Sequence, residues 1–268
     1  MTGILTFNNR GCVFSRKLAE FAEIIHGVST RKFGNMHHKF GDASASERNR
    51  AAFLKKFGVS SNALVMPQIV HGTSIAIVGK EHAGTLVKEV DGIVTNVPEV
   101  FVSTFGADCV PILAYDPVRQ VVGAVHAGWM GTLGLISQKL ITVMRDKWRS
   151  EPSDIVVYLG PSIGPCHYDQ REDKADGPRG ESFSQFRKVF PDSVKFSKDG
   201  VAYIDLWLAH KKQLIDVGVK EKNIEISGLC TVCHNDVFYS NHVERENLGG
   251  AIMAFIGIKG SVNFIPEA

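Results

Sequence analysis

Val121-Val122-Gly123-Ala124-Val125-His126-Ala127-Gly128-Trp129-Met130-Gly131 decides the fold class. Its first five residues are apolar without alternation, the mark of a strand covered on both faces. His126 closes the run, and Gly128 and Gly131 supply turn chemistry. Beyond them Leu133, Ile136, Leu140 and Met144 recur at helical spacing, which predicts a helix after Gly131 that buries one face. A doubly covered strand running into a helix is a unit of layered α/β architecture.

The same pattern extends in both directions. Strands are predicted at 63–70, 75–78, 92–96, 100–104, 110–115, 121–126, 155–160, 224–228, 237–240 and 251–256. Ser46 is expected to cap a helix running from Glu47 toward Phe57, with Gly58 ending it. Asp205 is expected to cap a helix over 206–217 that stops at Gly218. The polar stretch from Asp169 to Gly180 reads as a solvent-exposed connection, with 174–180 a loop. There is no internal repeat or long linker. The expectation is one α/β domain over 1–268, a layered sandwich of mixed β-sheets covered by helices.

Composition narrows the function classes. A chain of 268 residues can bury a large core, and 44% hydrophobic with 22% charged residues is ordinary for a globular protein. A formal net charge of +2 gives no electrostatic reason for a nucleic-acid or membrane partner. No apolar run approaches the roughly 20 residues that span a bilayer, and Met1 to Phe14 lacks the pattern of a secretory leader. Five thinly spread cysteines argue against a disulfide framework, so a reducing, cytoplasmic setting is expected.

Three residues carry the chemistry. His71 follows Val65-Met66-Pro67-Gln68-Ile69-Val70, Cys109 follows Phe101 to Asp108, and His126 ends Val121 to Val125. Each stands at or near a strand end beside turn chemistry. Two imidazoles and one thiol suit zinc with one coordination position open. Taken singly, each has a plainer reading, as a hydrogen-bonded histidine or a packed cysteine. The trio also leaves open a copper oxidase, a metal-stabilised protein without catalysis, and a hydrolase in which Cys109 attacks a carbonyl with His126 as base. Asp108, next to Cys109, is a candidate catalytic carboxylate, or a hydrogen-bonding group that fixes the turn or orients a ligand.

The surrounding motifs occur in a set order: Gln68-Ile69-Val70-His71-Gly72, Asp91-Gly92-Ile93-Val94-Thr95-Asn96, Ala107-Asp108-Cys109-Val110-Pro111, Val125-His126-Ala127-Gly128-Trp129, Leu159-Gly160-Pro161-Ser162-Ile163-Gly164-Pro165-Cys166 and Ser227-Gly228-Leu229-Cys230-Thr231-Val232-Cys233. This series resembles the laccase-domain family, the polyphenol-oxidase-like or multicopper-oxidase-like purine nucleoside phosphorylases, over nearly the whole chain. The resemblance implies a single α/β domain with zinc held by His71, Cys109 and His126. It also implies phosphorolysis of purine nucleosides including methylthioadenosine, deamination of adenosine, and small-molecule nucleosides and phosphate as partners.

Three positions depart from the family pattern. Met130 stands where the family carries arginine, Asn241-His242-Val243-Glu244-Arg245 replaces a stretch with paired arginines, and the glycine-rich loop after Arg31 is shortened to Lys32-Phe33-Gly34-Asn35. Phosphate binding is therefore expected from Arg31 and Arg245, through charge-assisted contacts.

Cys230-Thr231-Val232-Cys233-His234 has the spacing of c-type haem attachment, which would require export. A redox pair would need a helix N-terminus to lower a thiol pKa. A second zinc would need two further ligands, for which His234 and His242 are the neighbours in sequence. The resemblance favours a wall of the same pocket, and Cys166 and His167 are read as supporting that wall. His37 and His38 are expected to face solvent.

Overall fold

The computed structural model describes residues 11–170 and 178–260. Two mixed sheets stack face to face. One has the order β1 (Ile24–Val28), β14 (Ile252–Ile258), β6 (Phe101–Gly106), β2 (Leu64–Pro67) and β4 (Leu86–Val87). The other has the order β13 (Ile224–Ile226), β9 (Val156–Leu159), β7 (Val110–Asp116), β8 (Val121–Ala127), β5 (Gly92–Thr95) and β3 (Ile75–Ile77). A separate small sheet of β10 (Asp169–Gln170), β12 (Ala202–Ile204) and β11 (Val194–Phe196) packs through Ile204 and Val194 into the outer core of the second sheet.

The doubly apolar strands explain the layering. Every residue of β6, β7, β8 and β14 is buried. Along β8 the side chains alternate between two cores, as a period of two requires. Val122 and Ala124 join Leu113, Tyr115, Val102, Ala254 and Ile256 between the sheets. Val121, Val125 and Ala127 face outward against Ile136, Leu140 and Met144 of α3 (Ile136–Trp148) and Leu206 and Leu214 of α5 (Leu206–Asp216). Gly123 points the same way, and a methyl there would come within 2.7 Å of Leu140. The outer face of the other sheet is covered by Phe53 and Leu54 of α1 (Ala43–Lys55). Four layers result, and each fully buried aliphatic or aromatic side chain contributes about 1.5–3 kcal/mol.

Several expectations are corrected. The first helix begins at Ala43 and its cap is Asp42, which accepts from the Ser44 N–H at 2.9 Å. Ser46 lies inside the helix, where its hydroxyl donates to the Ala43 carbonyl. The helix after Gly131 is two helices, α2 (Trp129–Leu133) and α3, broken where Leu135 takes a φ of +61°. Strand pairing from residue 64 stops at Pro67, so His71 stands on a loop. In the run 237–240 Val237 is half-buried and 238–240 are buried, without being a strand; the Val237 carbonyl accepts from the Arg31 N–H. Pro178–Gly180 open α4 (Pro178–Val189) rather than a loop, whereas 174–177 lie outside the described residues, as do 1–10 of the Met1–Phe14 stretch. The cap and stop of α5 match expectation: Asp205 accepts from the Leu208 N–H at 2.9 Å, and Gly218 has a φ of +99°. Among the described residues no helix is long and apolar enough to cross a membrane.

Candidate metal and nucleoside site

His71, Cys109 and His126 converge at one end of the stacked sheets. Their ligand atoms all lie within 4.8 Å of one another. The loop after β2 brings His71, the turn between β6 and β7 brings Cys109, and the end of β8 brings His126. Register explains the last pairing, because β7 and β8 are antiparallel with Val110 opposite Ala127. The two imidazole rings meet edge to face, 4.9 Å between centroids. His126 is buried at the back, Cys109 is half-buried, and His71 is exposed at the mouth.

Asp91 organises this arrangement, a role the sequence did not disclose. Its fully buried carboxylate accepts from the His71 N–H at 2.9 Å and the Gly72 N–H at 2.7 Å. The same carboxylate meets His126 Nδ1 at 3.1 Å, and its backbone carbonyl accepts from the His126 N–H at 2.7 Å. A carboxylate can only accept, so Nδ1 carries the proton and Nε2 is left as a donor atom. Metal-ligating histidines are ordinarily held this way. Burial opposes the charge on Asp91, yet the His126 and Gly72 hydrogen bonds outweigh it and keep its pKa below the usual range. His71 is locked at a φ of +60°, a region a non-glycine residue occupies only when its surroundings demand it.

The donor set fits a cation. Burial disfavours charge on both Cys109 and His126, but their mutual attraction prevails, bringing the thiol down to about 6 and the imidazole up to about 9. The chain thus presents a thiolate with two imidazoles, and a divalent metal would displace the His126 proton. Gly128 leaves the space beside them open. A methyl there would sit 3.0 Å from Cys109 Sγ and 3.7 Å from each imidazole.

The other expected site residues have different settings. Both oxygens of Asp108 are engaged, one by the Thr231 hydroxyl and one by the His242 N–H, each at 2.6 Å. These bonds, with Ile163 N–H on its carbonyl, hold Asp108 at a φ of +92° and so set the turn before Cys109. Both carboxylate oxygens of Asp108 are thus occupied within the protein. Arg31 donates from Nε to the Asn235 and Phe238 carbonyls, pairs with Glu244, and stacks over Tyr239 at 4.2 Å. Through these contacts it clamps the chain around 235–244. Arg245 is exposed just beyond α6 (Asn241–Glu244).

His37 is buried rather than solvent-facing, stacked on the half-buried His38 at 4.5 Å and edge-on to Phe105 at 5.1 Å. Burial, then repulsion from His38 and nearby cations, lowers its pKa to about 3. Cys230 and Cys233 are joined by Cys166 and His167 in a second cluster, which excludes His234 and His242. The side chains that join the Cys-x-x-Cys pair therefore come from the loop after β9.

The family described as multi-copper polyphenol oxidoreductase laccase matches residues 19–259. The chain is 30% identical to purine nucleoside phosphorylase YlmD of Bacillus subtilis, over 90% of this chain and 88% of that protein. It is 35% identical to human purine nucleoside phosphorylase LACC1, over 88% of this chain and 56% of that protein. The crystal structure of YlmD from Geobacillus stearothermophilus superposes with a TM-score of 0.86 at 29% identity, covering 96% of this chain and all of that one. Sequence, fold and the shared layering agree, and the chain belongs to the laccase-like multi-copper polyphenol oxidoreductase family, whose relatives here are named purine nucleoside phosphorylases.

Proposed function

We propose that this chain is a purine nucleoside phosphorylase using zinc held by His71, Cys109 and His126, and that the same pocket deaminates adenosine and cleaves methylthioadenosine. One observation carries the reading: two imidazoles and one thiol gather within 4.8 Å, with Asp91 orienting both histidine segments. Three protein donors suit a catalytic zinc, since a structural one takes four. The relatives' names support the substrate class. Five cysteines spread thinly through 268 residues support a reducing, cytoplasmic setting.

When bound, zinc supplies Lewis acidity toward a substrate or water oxygen. The protein's own part is positional. Asp91 keeps the proton on Nδ1 of His126 and leaves Nε2 to ligate. Gly128 keeps the space beside Cys109 Sγ free, and the exposed His71 marks the side from which a nucleoside enters. In phosphorolysis the bond from ribose C1′ to the purine nitrogen breaks, a phosphate oxygen bonds to C1′, and the purine leaves with a proton. In deamination the oxygen of water replaces the 6-amino group, which leaves as ammonia. Arg245 takes the phosphate, because Arg31 is already engaged by Glu244 and two carbonyls.

Imidazole and thiolate also suit copper. Oxygen reduction by a multicopper enzyme needs a histidine-rich trinuclear centre, and the two donor groups among the described residues contain two histidines and one. The donor chemistry therefore favours zinc. The test is chromatography of products from adenosine with and without phosphate, together with metal analysis. Inosine is expected in both reactions, and adenine with ribose-1-phosphate only when phosphate is supplied. Replacing His71, Cys109 or His126 by alanine should abolish both. Free adenine without phosphate would indicate hydrolysis and overturn the phosphorylase reading.

A further inference from the structure

The four-residue cluster is built from two adjacent parallel strands. β9 and β13 pair in register, and the loops leaving them continue side by side. Ser162 N–H donates to the Leu229 carbonyl and Thr231 N–H to the Ser162 carbonyl, which sets Cys166-His167 against Cys230 and Cys233. Cys166 Sγ lies 3.6 Å from Cys233 Sγ, and His167 Nδ1 lies 3.3 Å from Cys166 Sγ, 3.4 Å from Cys233 Sγ and 3.6 Å from Cys230 Sγ. All three cysteines are free.

These separations have a chemical meaning. Zinc bonds thiolate at about 2.3 Å and imidazole at about 2.0–2.1 Å, so the edges of a tetrahedron of three sulfurs and one nitrogen are roughly 3.5–3.8 Å long. The four separations fall at or just below that length. The Gly164 N–H points at Cys230 Sγ at 3.3 Å, the kind of outer bond that steadies a ligating sulfur. Gly164 is itself fixed, since a methyl there would lie 2.8 Å from the Trp207 ring and 3.2 Å from Cys230. Trp207 in turn donates to the Ser162 hydroxyl at 2.6 Å. The cluster is thus held from behind by a packed wall.

We propose that Cys166, His167, Cys230 and Cys233 form a second, structural site for a thiophilic divalent cation, zinc, separate from the His71 site. The three thiols lose their protons on binding, and the neutral imidazole ligates through Nδ1. Four protein ligands close the coordination sphere, so the site takes no substrate. Its function is to lock the loop after β9 to the loop after β13. That loop pair also holds Asp108, through Ile163 N–H and the Thr231 hydroxyl.

The test uses the full chain, reduced, equilibrated with zinc and separately with cobalt(II), and then freed of unbound metal. Wild type should hold two metal equivalents. His71→Ala should keep one, and its cobalt form should show the strong sulfur-to-metal charge-transfer absorption of three thiolates. The double variant Cys166→Ser/Cys233→Ser, changed at two exposed side chains, should also keep one, with the weaker absorption of a single thiolate. If that variant does not fold, the three-thiolate signature in His71→Ala decides alone. The proposal fails if wild type binds one equivalent that His71→Ala removes, if the cysteine variant keeps two, or if Cys166 and Cys233 form a disulfide instead of taking metal. Failure of the His71 site would look different: one equivalent in wild type, lost with the cysteine variant and untouched by His71→Ala.

Discussion

The trio of His71, Cys109 and His126 and the quartet of Cys166, His167, Cys230 and Cys233 sit on loops that touch, yet they are built for opposite ends. The trio is graded from a buried histidine to an exposed one and has three donors. The quartet has four, three of them sulfur, and closes on itself. One carboxylate, Asp91, orients the trio, whereas backbone pairing and the Trp207 wall fix the quartet. On the two functions proposed above, ligand number and the source of rigidity are what separate the site that reacts from the one that fastens.

Asp91→Asn breaks the comparison most sharply. The amide places a donor where the carboxylate accepts from His71 N–H, Gly72 N–H and His126, so at least one buried donor loses its partner. An unsatisfied buried group costs about 1–3 kcal/mol, and loss of a ligand-orienting partner weakens metal binding about 10–100-fold. Nucleoside turnover is expected to fall at least 100-fold, while metal at the quartet persists. Wild-type zinc affinity in this variant, measured by competition with a chromophoric chelator, would show that Asp91 only packs.

Gly128→Ala probes the open side of the trio. The residue has a φ of −78°, so alanine brings no backbone strain and the effect is the methyl alone. At 3.0 Å from Cys109 Sγ the methyl forces the sulfur to shift by a few tenths of an ångström. Turnover should drop about tenfold, with a thermal midpoint within a few degrees of wild type. Unchanged kinetics would mean that the trio tolerates expansion and that Gly128 serves the start of α2.

The two clusters also differ in how legible they were. His71, Cys109 and His126 each follow an apolar run, and the change from apolar to turn residues marks all three, although the strand before His71 ends already at Pro67. The quartet was half visible: Cys230-x-x-Cys233 stood out, but its partners come from Cys166-His167, brought alongside by parallel pairing of β9 with β13. Parallel partners lie far apart in sequence, so no local spacing reports them. Asp91 was hidden because its work is done by bonds to residues 20 and 35 positions away. The run 237–240 misled for another reason. Phe238 and Tyr239 are buried to fill space beneath the Arg31 clamp, and burial alone does not make a strand. The alternation of β8 and the cap of α5 were readable because period and capping are local.

Thr231→Val tests whether the quartet speaks to the trio, and its effect should be the smallest. Thr231 lies between Cys230 and Cys233 and gives its hydroxyl proton to Asp108, which holds the turn before Cys109. Valine keeps the shape and removes that one bond. A hydrogen bond to a charged group is worth about 1.5–3 kcal/mol, but the His242 and Ile163 N–H groups still hold Asp108, so most of the turn survives. Metal content should be unchanged at both clusters, and kcat should fall about three- to tenfold with KM less affected. With Asp108 still held at its φ of +92° by the two remaining bonds, the loosened turn shifts Cys109 slightly rather than removing it. If kcat is unaltered, the two clusters are neighbours without coupling, and the quartet fastens loops whose exact placement the trio does not feel.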